Sequence, residues 1–401
     1  MLRLTGCRII DGTGSDPLDG YDVIIDGDRI QSIEPGAQPS EIPDDIEVID
    51  LAGATLLPGF IDCHVHIALP TESTSTVDRS SDNIAVMHKT ALESVRKTIE
   101  AGFTTIQDLM SMEAVIFPLR DSIASRQIAG PRIVAAGACI TITDGHGSWY
   151  GPGIAVVANS ASEVLTAVRQ QIDAGADVIK IMVGRACSSP EWLMSPAYTV
   201  DELRPGIDEA HRAGLRVCAH AHSLPAAIHT AVLSGVDSIE HGAPINEETL
   251  RRMADRGTFL VPTLSVGLGL PKTGEETDLP FSPQVIEWMR ILDRDTRQTV
   301  RRAHALGIPI VLGTDCGPGE NASEFALLVE CGLTPMEAIL AGTRQAAINV
   351  GRGHDLGAIE PGQIADLVAV SADPLCNIRV LQDRERICWV MKEGRVIVDR
   401  R

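Results

Sequence analysis

Residues 174–183 read AGADVIKIMV, and the same sequence style returns at 213–221, AGLRVCAHA, and at 234–242, SGVDSIEHG. Each stretch joins a small residue and a glycine to a short run of apolar and β-branched residues. A glycine just past a helix accepts the left-handed conformation of the helix cap. Each stretch therefore predicts the end of a helix followed by the start of a strand.

The same pattern extends over the whole middle of the chain. The candidate strands lie in GFIDCHVHI, AGFTTIQDL, PRIVAAG, AGADVIKIMV, AGLRVCAHA, SGVDSIEHG, DRGTFLVPT and LGIPIVLGTD. Helical patterns between them are clearest at 82–100, 161–174, 200–213 and 283–306. Eight strand–helix units in about 290 residues predict an α/β fold of the (β/α)8 TIM barrel type. A doubly wound open sheet shares the alternation, but no GxGxxG opens a helix after the first strand.

The two ends of the chain differ from this middle. The N-terminal end contains short alternating runs with DG pairs, such as CRIIDG and YDVIIDGDRI, which indicate β-hairpins. The C-terminal end contains ERICWVMKEG and RVIVD, with residues 392–394 as a turn. We therefore predict a small β-sandwich domain formed from residues 1–57 and 352–401, with the barrel at 58–351 between them.

The composition disfavours several classes of protein. The 401 residues contain 34 Lys and Arg against 54 Asp and Glu, a formal net charge of -20, which argues against nucleic acid or an anionic membrane as partner. No apolar run approaches the roughly 20 residues of a membrane span, and no signal peptide is evident. The nine cysteines show no CxxC spacing and predict buried thiols in a reducing compartment. We expect a cytoplasmic protein with a small-molecule substrate.

His64 and His66 alternate along the first candidate strand, so both imidazoles face one side of it near its C-terminal end. An HxH pair can bind a metal, although two histidines with other hydrogen-bond partners would give the same motif. Further titratable residues, His220, His241 and Asp315, end other candidate strands. In a barrel those strand ends converge on one mouth, where such enzymes carry out catalysis. The coincidence of positions favours a metal centre over packing.

Lys180 interrupts the apolar strand VIKIM at 178–182. An ammonium repels a cation, but burial among apolar neighbours lowers the pKa of a lysine toward the neutral amine. A neutral amine can add carbon dioxide, and the two oxygens of the resulting carbamate could bridge two metal ions. The alternative is a lysine paired with a carboxylate inside the barrel.

LLPGFIDCHVH, VIKIM, AHAH, IEHG and GTDCG occur in this order between the β-rich ends. The ordered set resembles the amidohydrolase superfamily, and within it the imidazolonepropionase-like and prolidase-like (Xaa-Pro dipeptidase-type) hydrolases. The resemblance implies two divalent ions. The implied ligands are His64 and His66 for the more buried ion, His220 and His241 for the second, the carboxylated Lys180 as bridge, and Asp315 on the first ion. Zinc is the usual ion for imidazole and carboxylate ligands, with manganese or cobalt possible.

The same resemblance implies hydrolysis of a linear amide bond in a dipeptide or an N-acyl amino acid. A hydroxide bridging the metals would be the nucleophile, and Asp315 would pass a proton to the leaving nitrogen. Two enzymatic alternatives stay open: a cyclic amide (imidazolone-type) hydrolase, for which many relatives use one metal and lack the lysine, and an esterase, lactonase or phosphotriesterase. A non-catalytic scaffold is disfavoured because every metal position is filled. Related barrels often associate, so a homo-oligomer is expected.

Catalytic or substrate contacts are also predicted near the mouth. His146 lies in a GHG of the loop after the third strand, where related dipeptidases carry a similar motif near the substrate. His222 stands where many prolidase-like members have Tyr, so that HAY becomes HAH. The role of that Tyr in holding a substrate carboxylate is therefore in doubt here, and His222 either contacts the substrate or supports other residues.

Further candidates lie in the long loops after strands three and four. Arg185 could bind a substrate carboxylate or lie in solvent. The aromatic residues of these loops predict a pocket for an apolar or ring-bearing group, or else fix the loops to the barrel rim. These aromatic residues are Trp149, Tyr150, Trp192 and Tyr198.

Overall fold

The computed structural model describes the chain except for residues 39, 41, 44, 70–80, 185–195, 223 and 271–282. Of residues 81–83 it describes the backbone alone. The predicted contacts of Arg185 and Trp192 lie outside the described residues.

Strands dominate both ends of the chain, and strands alternate with helices between them. The strands are β1 (Leu2–Thr5), β2 (Arg8–Ile9), β3 (Tyr21–Asp26), β4 (Arg29–Pro35), β5 (Glu47–Asp50), β6 (Thr55–Pro58), β7 (Phe60–Val65), β8 (Phe103–Asp108), β9 (Arg132–Ala135), β10 (Cys139–Thr141), β11 (Ala155–Val157), β12 (Val178–Met182), β13 (Arg216–Ala221), β14 (Ser238–His241), β15 (Phe259–Val261), β16 (Leu367–Val370), β17 (Ile387–Lys392) and β18 (Arg395–Asp399).

The four helices predicted from the sequence are present, and each of their ends lies within one residue of the predicted end. The helices are α1 (Ser81–Glu100), α2 (Glu113–Ala124), α3 (Ala161–Ala174), α4 (Val200–Arg212), α5 (Pro225–Ser234), α6 (Glu247–Arg256), α7 (Pro283–Ala305), α8 (Ser323–Glu330), α9 (Pro335–Ala341) and α10 (Arg344–Asn349). Within the described part of the chain, no helix combines the length and apolar character that crossing a membrane requires.

The strands of the two chain ends pack on one another. One sheet has the order β4-β3-β1-β5, and a second, β18-β17-β16-β6-β2, combines strands from both ends. Leu4, Val23 and Ile25 of the first sheet belong to the same buried cluster as Leu367 and Trp389 of the second. The two ends of the chain therefore share one hydrophobic core.

The turn predicted at 392–394 is confirmed. β17 and β18 pair antiparallel with Lys392 opposite Arg395. Between them, Glu393 and Gly394 have φ of 51° and 70°. Positive φ at both central positions is typical of a type I′ hairpin turn, and glycine adopts it without strain.

The middle of the chain is built on parallel strands. They form two sheets, with the orders β7-β8-β9 and β11-β10-β12-β13-β14-β15. The predicted unit of helix, glycine and strand is present, because α3 ends at Gly175 in the left-handed conformation (φ 89°) directly before β12. The fold is therefore α/β, with helices between parallel strands.

Backbone hydrogen bonds join these two parallel sheets on both sides. Asp177, just before β12, donates its N–H to the C=O of Ala135 in β9 over 2.8 Å. On the other side, Cys63 in β7 donates its N–H to the C=O of Leu312 over 2.9 Å. The extended segment 309–312 also pairs with β15, so the hydrogen-bonded series of parallel segments returns to β7.

The eighth predicted strand, LGIPIVLGTD, is less regular than expected. Ile310 forms an isolated parallel bridge with Leu260 in β15 instead of a regular ladder. Pro309 explains the interruption, since proline has no N–H to donate to a neighbouring strand.

The prediction of buried thiols is confirmed for most of the described cysteines. Cys139, Cys218 and Cys331 are free and buried, whereas Cys376 is free and exposed. The first three pack as small apolar side chains.

Candidate metal centre

The titratable residues predicted at the strand ends lie together around one cavity of about 360 Å³. β7, β12, β13 and β14 each contribute, and the segment after residue 312 adds the last member. The residues brought together are His64, His66, Lys180, His220, His241 and Asp315. His146, His222 and Tyr150 line the same cavity.

Two of these residues reach the cavity through unusual backbone conformations. His241 has φ of 67° and Asp315 has φ of 51°. Side chains alternate along a strand, so His241 would normally face away from its neighbour Glu240. With the left-handed conformation at His241, both side chains lie inside, where Glu240 contacts His64. Such backbone costs about 1–3 kcal/mol per residue and is concentrated at functional sites.

The possible ligand atoms form two groups. Within each group, all the ligand atoms lie within 4.8 Å of one another. One group is His64, His66 and Asp315; the other is His146, His220 and His222. His66 Nε2 lies 3.3 Å from Asp315 Oδ1. His241 connects the groups, because its ring centroid is 5.1 Å from that of His64 and 4.5 Å from that of His220.

The second group differs in membership from the expected ligand set. His220 and His241 were predicted as ligands of one ion, and they are in direct contact, with His241 Nε2 2.8 Å from His220 Nδ1. The ring of His146 stacks on that of His220 with centroids 4.0 Å apart, and the centroid of His222 is 4.5 Å from that of His220. His146 and His222 are thus as close to His220 as a further ligand would be.

Three of the histidines are held by hydrogen bonds at Nδ1. His64 Nδ1 lies 2.6 Å from Glu240 Oε2, and His66 Nδ1 lies 3.0 Å from the carbonyl oxygen of Met110. His241 Nδ1 lies 2.7 Å from Thr263 Oγ1. We assign the proton to Nδ1 in His64 and His66, because a carboxylate and a carbonyl can only accept. Their Nε2 lone pairs are then available to a metal ion.

Burial keeps four of these imidazoles and the lysine amine in the neutral form that binds metals or carbon dioxide. It lowers the pKa of His220 and His241 well below the ordinary value, that of His146 to about 3 and that of His222 to about 4. Burial likewise lowers the pKa of the Lys180 amine. Neutral imidazoles are metal ligands, whereas protonated ones are not.

Two family models match the chain. Residues 55–397 match the model of the amidohydrolase family, and residues 1–56 match that of the NagA composite domain. The chain belongs to the amidohydrolase family. Like other members of this family, which is typically metal-dependent, it has groups of candidate metal ligands.

The amidohydrolase is similar to hydrolases that act on C–N bonds. It is 29% identical over 372 residues to ochratoxinase from Aspergillus niger, covering 85% of this chain and 75% of the relative. It is 26% identical over 403 residues to imidazolonepropionase from Cutibacterium acnes, covering 94% of this chain and 90% of the relative. A crystal structure of a Xaa-Pro dipeptidase with bound methionine in its active site superimposes with a TM-score of 0.88 at 32% identity, covering 99% of both chains.

The residues of this amidohydrolase fit a divalent metal. Three buried nitrogens of cavity-lining residues have no hydrogen-bond partner in the part of the chain that the structure describes: His146 Nδ1, Lys180 Nζ and His220 Nε2. Leaving a buried polar atom unsatisfied costs about 1–3 kcal/mol. The donors are imidazole nitrogens and a carboxylate, which suit zinc, manganese and cobalt.

Sequence reasoning missed Glu240 at this site. Its side chain is fully buried, and its second oxygen accepts a hydrogen bond from Ser238 Oγ over 2.5 Å. The available signal was a glutamate directly beside His241 in the short strand SIEH, because a fully buried carboxylate is rare without partners. Glu240 thus holds the His64 ring in place.

Asp62, in the same motif as His64, supports the site in a similar way. Its carboxylate accepts hydrogen bonds from Thr314 Oγ1 and Asn321 Nδ2, each over 2.6 Å. It also accepts from the backbone N–H of His64 over 3.0 Å. Asp62 therefore ties the strand that carries His64 to the segment that leads to Asp315.

Of the aromatic residues predicted to form a pocket, Tyr150 lines the cavity, whereas Trp149 and Tyr198 do not belong to its described lining. Tyr198 packs in the main hydrophobic core and donates its hydroxyl to the C=O of Ala158 over 2.9 Å, so it is not among the described cavity-lining residues. Trp149 is 40% exposed, and its ring contacts those of His146 and Tyr150, at 5.2 and 5.6 Å between centroids. Side-chain direction within a loop depends on tertiary packing, which spacing in the sequence does not reveal.

Replacing Glu240 by Gln should weaken divalent metal binding about 10- to 100-fold, because the neutral amide no longer holds His64 with a charged hydrogen bond. Affinity is measured by competition with a chelator, and the melting temperature of the metal-free protein is recorded beside it. Ser238→Ala is the matched control, since it removes the other partner of Glu240 and leaves His64 in contact. Unchanged affinity in Glu240→Gln, or an equal loss in Ser238→Ala, would show that Glu240 does not position His64.

Proposed function

We propose that this amidohydrolase is a metal-dependent enzyme that hydrolyses a linear amide bond in a dipeptide or an N-acyl amino acid. The observation that carries the proposal is Lys180, whose buried nitrogen has no hydrogen-bond partner among the described residues although it faces a cavity full of imidazoles. The alternative of a lysine paired with a carboxylate is disfavoured, because no carboxylate among the described residues forms a hydrogen bond with Lys180 Nζ.

Two divalent ions, most simply zinc, would be held by the six predicted ligands. Lys180 would join them as a carbamate formed with carbon dioxide, which the lowered pKa of its amine favours. The ligands would be His64, His66, Lys180, His220, His241 and Asp315. Bound ions would supply an activated water and polarise the amide carbonyl.

Asp315 is the group that would move the proton. Burial raises the pKa of its carboxyl, but attraction to His64 and the hydrogen bond with His66 outweigh burial and lower the pKa. Its carboxylate is therefore ionised at neutral pH and can accept a proton and pass it to the leaving nitrogen. His146 and His222 line the cavity beside it and would contact the substrate.

The size of the cavity supports a small substrate. A volume of about 360 Å³ is at the lower end of the range for small-molecule sites. The similar Xaa-Pro dipeptidase and ochratoxinase support amide hydrolysis, whereas the similarity to imidazolonepropionase leaves a cyclic amide as the alternative. Lys180 favours the linear amide, because a lysine bridge has no use at a single ion.

We also propose how the fold divides. The hydrogen bonds that link residues 309–312 to β7 and β15 support a closed (β/α)8 barrel over residues 58–351. The hydrophobic core shared by the two terminal sheets supports a β-sandwich formed from residues 1–57 and 352–401.

An assay of released amine with ninhydrin tests the reaction. We expect the highest kcat/KM for a member of a panel of dipeptides and N-acyl amino acids. The comparison panel contains an imidazolone, lactones, carboxylic esters and phosphotriesters, assayed by product chromatography. Turnover restricted to the comparison panel would contradict linear amide hydrolysis.

Replacing Lys180 by Met keeps the apolar stem and removes the nitrogen. We expect bound metal to fall below two ions per chain and amide turnover to fall at least about 1000-fold, since several kcal/mol of transition-state stabilisation are lost. Metal is counted by mass spectrometry. Added bicarbonate should speed metal reconstitution of the wild-type chain and leave the variant unaffected. A variant with two ions and full turnover would refute the bridge.

His222→Tyr introduces the HAY sequence of many prolidase-like members. We expect kcat/KM for dipeptides to rise about tenfold relative to amides that lack a carboxylate, because a hydrogen bond to a charged group contributes about 1.5–3 kcal/mol. The measurement is the ratio of the two kcat/KM values in each protein. An unchanged ratio would remove position 222 from carboxylate recognition.

A further inference from the structure

One face of α7 lines the cavity that contains the candidate metal ligands. Residues 288, 289, 292, 293 and 296 all lie on its wall. Their spacing of three and four residues is that of a single helix face. One helix therefore contributes a continuous strip to the cavity, and nothing in the strand pattern of the sequence indicates this.

The strip is apolar at its N-terminal part. Trp288, Met289 and Leu292 are partly exposed, whereas Val300 and Ala303 nearer the C-terminal end of α7 are buried. The C-terminal half of the helix thus packs on the protein, and the N-terminal half presents large apolar side chains to the cavity. Apolar surface of this kind within a concave site contributes binding energy for a ligand.

The segment after β15 contributes apolar residues to the same cavity. Leu264, Val266 and Leu270 lie on its lining, and Val266 is 41% exposed. This segment approaches α7 closely, because a Cβ added at Gly267 would lie 2.4 Å from Asp293 Oδ1.

The one carboxylate on the α7 strip is paired with a cation. Both oxygens of Asp293 lie within about 3.2 Å of Arg297 Nε. Arg297 is one helical turn further along α7, so the pair is of the i,i+4 type and partly neutralises Asp293. The strip therefore presents an apolar surface more than a charged one.

The apolar wall begins next to the candidate catalytic groups. The ring centroid of Trp288 is 5.6 Å from that of His222, which in turn is 4.5 Å from that of His220. A substrate whose scissile amide lies at the metal ligands would therefore place the neighbouring group against Trp288.

We propose that Trp288, Met289 and Leu292 form a specificity wall that selects substrates with a bulky apolar or aromatic group next to the scissile amide. The inference rests on the proposed function for the position of the amide. It assigns the ring-binding role to α7, whereas the sequence suggested the loops after strands three and four.

The test uses two metal-chelating compounds, acetohydroxamic acid and phenylacetohydroxamic acid, which differ by one phenyl group. Each is titrated into metal-loaded protein, and its affinity is measured by calorimetry. The wild-type chain should bind the phenyl compound at least about tenfold more tightly, because burial of the ring adds apolar contact. Trp288→Ala should reduce this preference to less than about threefold, with the affinity for acetohydroxamic acid kept. Met289→Ala should lie between the two.

Ile291→Ala is the matched control, since Ile291 is on α7, is 41% exposed and is not among the described cavity-lining residues. It should keep the wild-type preference. Equal binding of both compounds by the wild-type chain, or an equal loss of both in Trp288→Ala, would overturn the wall and leave the metal centre intact. Failure of both compounds to bind the metal-loaded protein would overturn the wall and contradict the proposed function as well.

Discussion

The crowding of imidazoles and one lysine amine in a cavity shielded from water is the constraint on which this structure depends. Desolvation disfavours positive charge on each of these nitrogens, so His146, His220, His222 and His241 have lowered pKa values. Neutral nitrogens that face one another have lone pairs and few donors to satisfy them. Divalent cations bound among them would relieve this, because metal binding converts unsatisfied lone pairs into ligand bonds.

The fold holds this cluster through contacts that lie behind it. Three imidazoles are held at Nδ1, the ring nitrogen away from the candidate metal position. Their partners are Glu240, the carbonyl oxygen of Met110 and the hydroxyl of Thr263. Thr263 itself has φ of 51° and precedes a segment whose N–H groups at 264 and 265 donate to the buried carboxylate of Glu324. Burial raises the pKa of Glu324 to about 8. Thr263 holds His241, and the segment after it contributes Leu264 and Val266 to the cavity lining, so the metal site and the substrate surface share one scaffold.

Spacing in the sequence was sufficient to predict most of the parallel strands, although not β10 and β11, together with the clearest helices and the six ligand candidates. His64 and His66 could be paired because strand alternation is regular, and Lys180 was conspicuous within VIKIM. Trp288 could not be assigned, because which face of a connecting helix covers the cavity depends on how that helix packs. Tyr198 illustrates the opposite error. The sequence placed it in a loop at the mouth of the barrel, but its side chain packs in the hydrophobic core. Glu240 was visible as a charged residue beside His241, but its contact with His64 could not be predicted from the sequence.

The amidohydrolase family supplies the broad chemistry, and the arrangement of this chain's own residues supplies the particular claim of two ions bridged through Lys180. A crystal structure of the metal-loaded protein, with anomalous diffraction collected at the metal absorption edge, tests that claim most directly. We expect two anomalous peaks about 3.5–4 Å apart, with continuous density for a carbamate on Lys180 Nζ between them. A single peak, or an unmodified Lys180 hydrogen-bonded to a carboxylate, would contradict it.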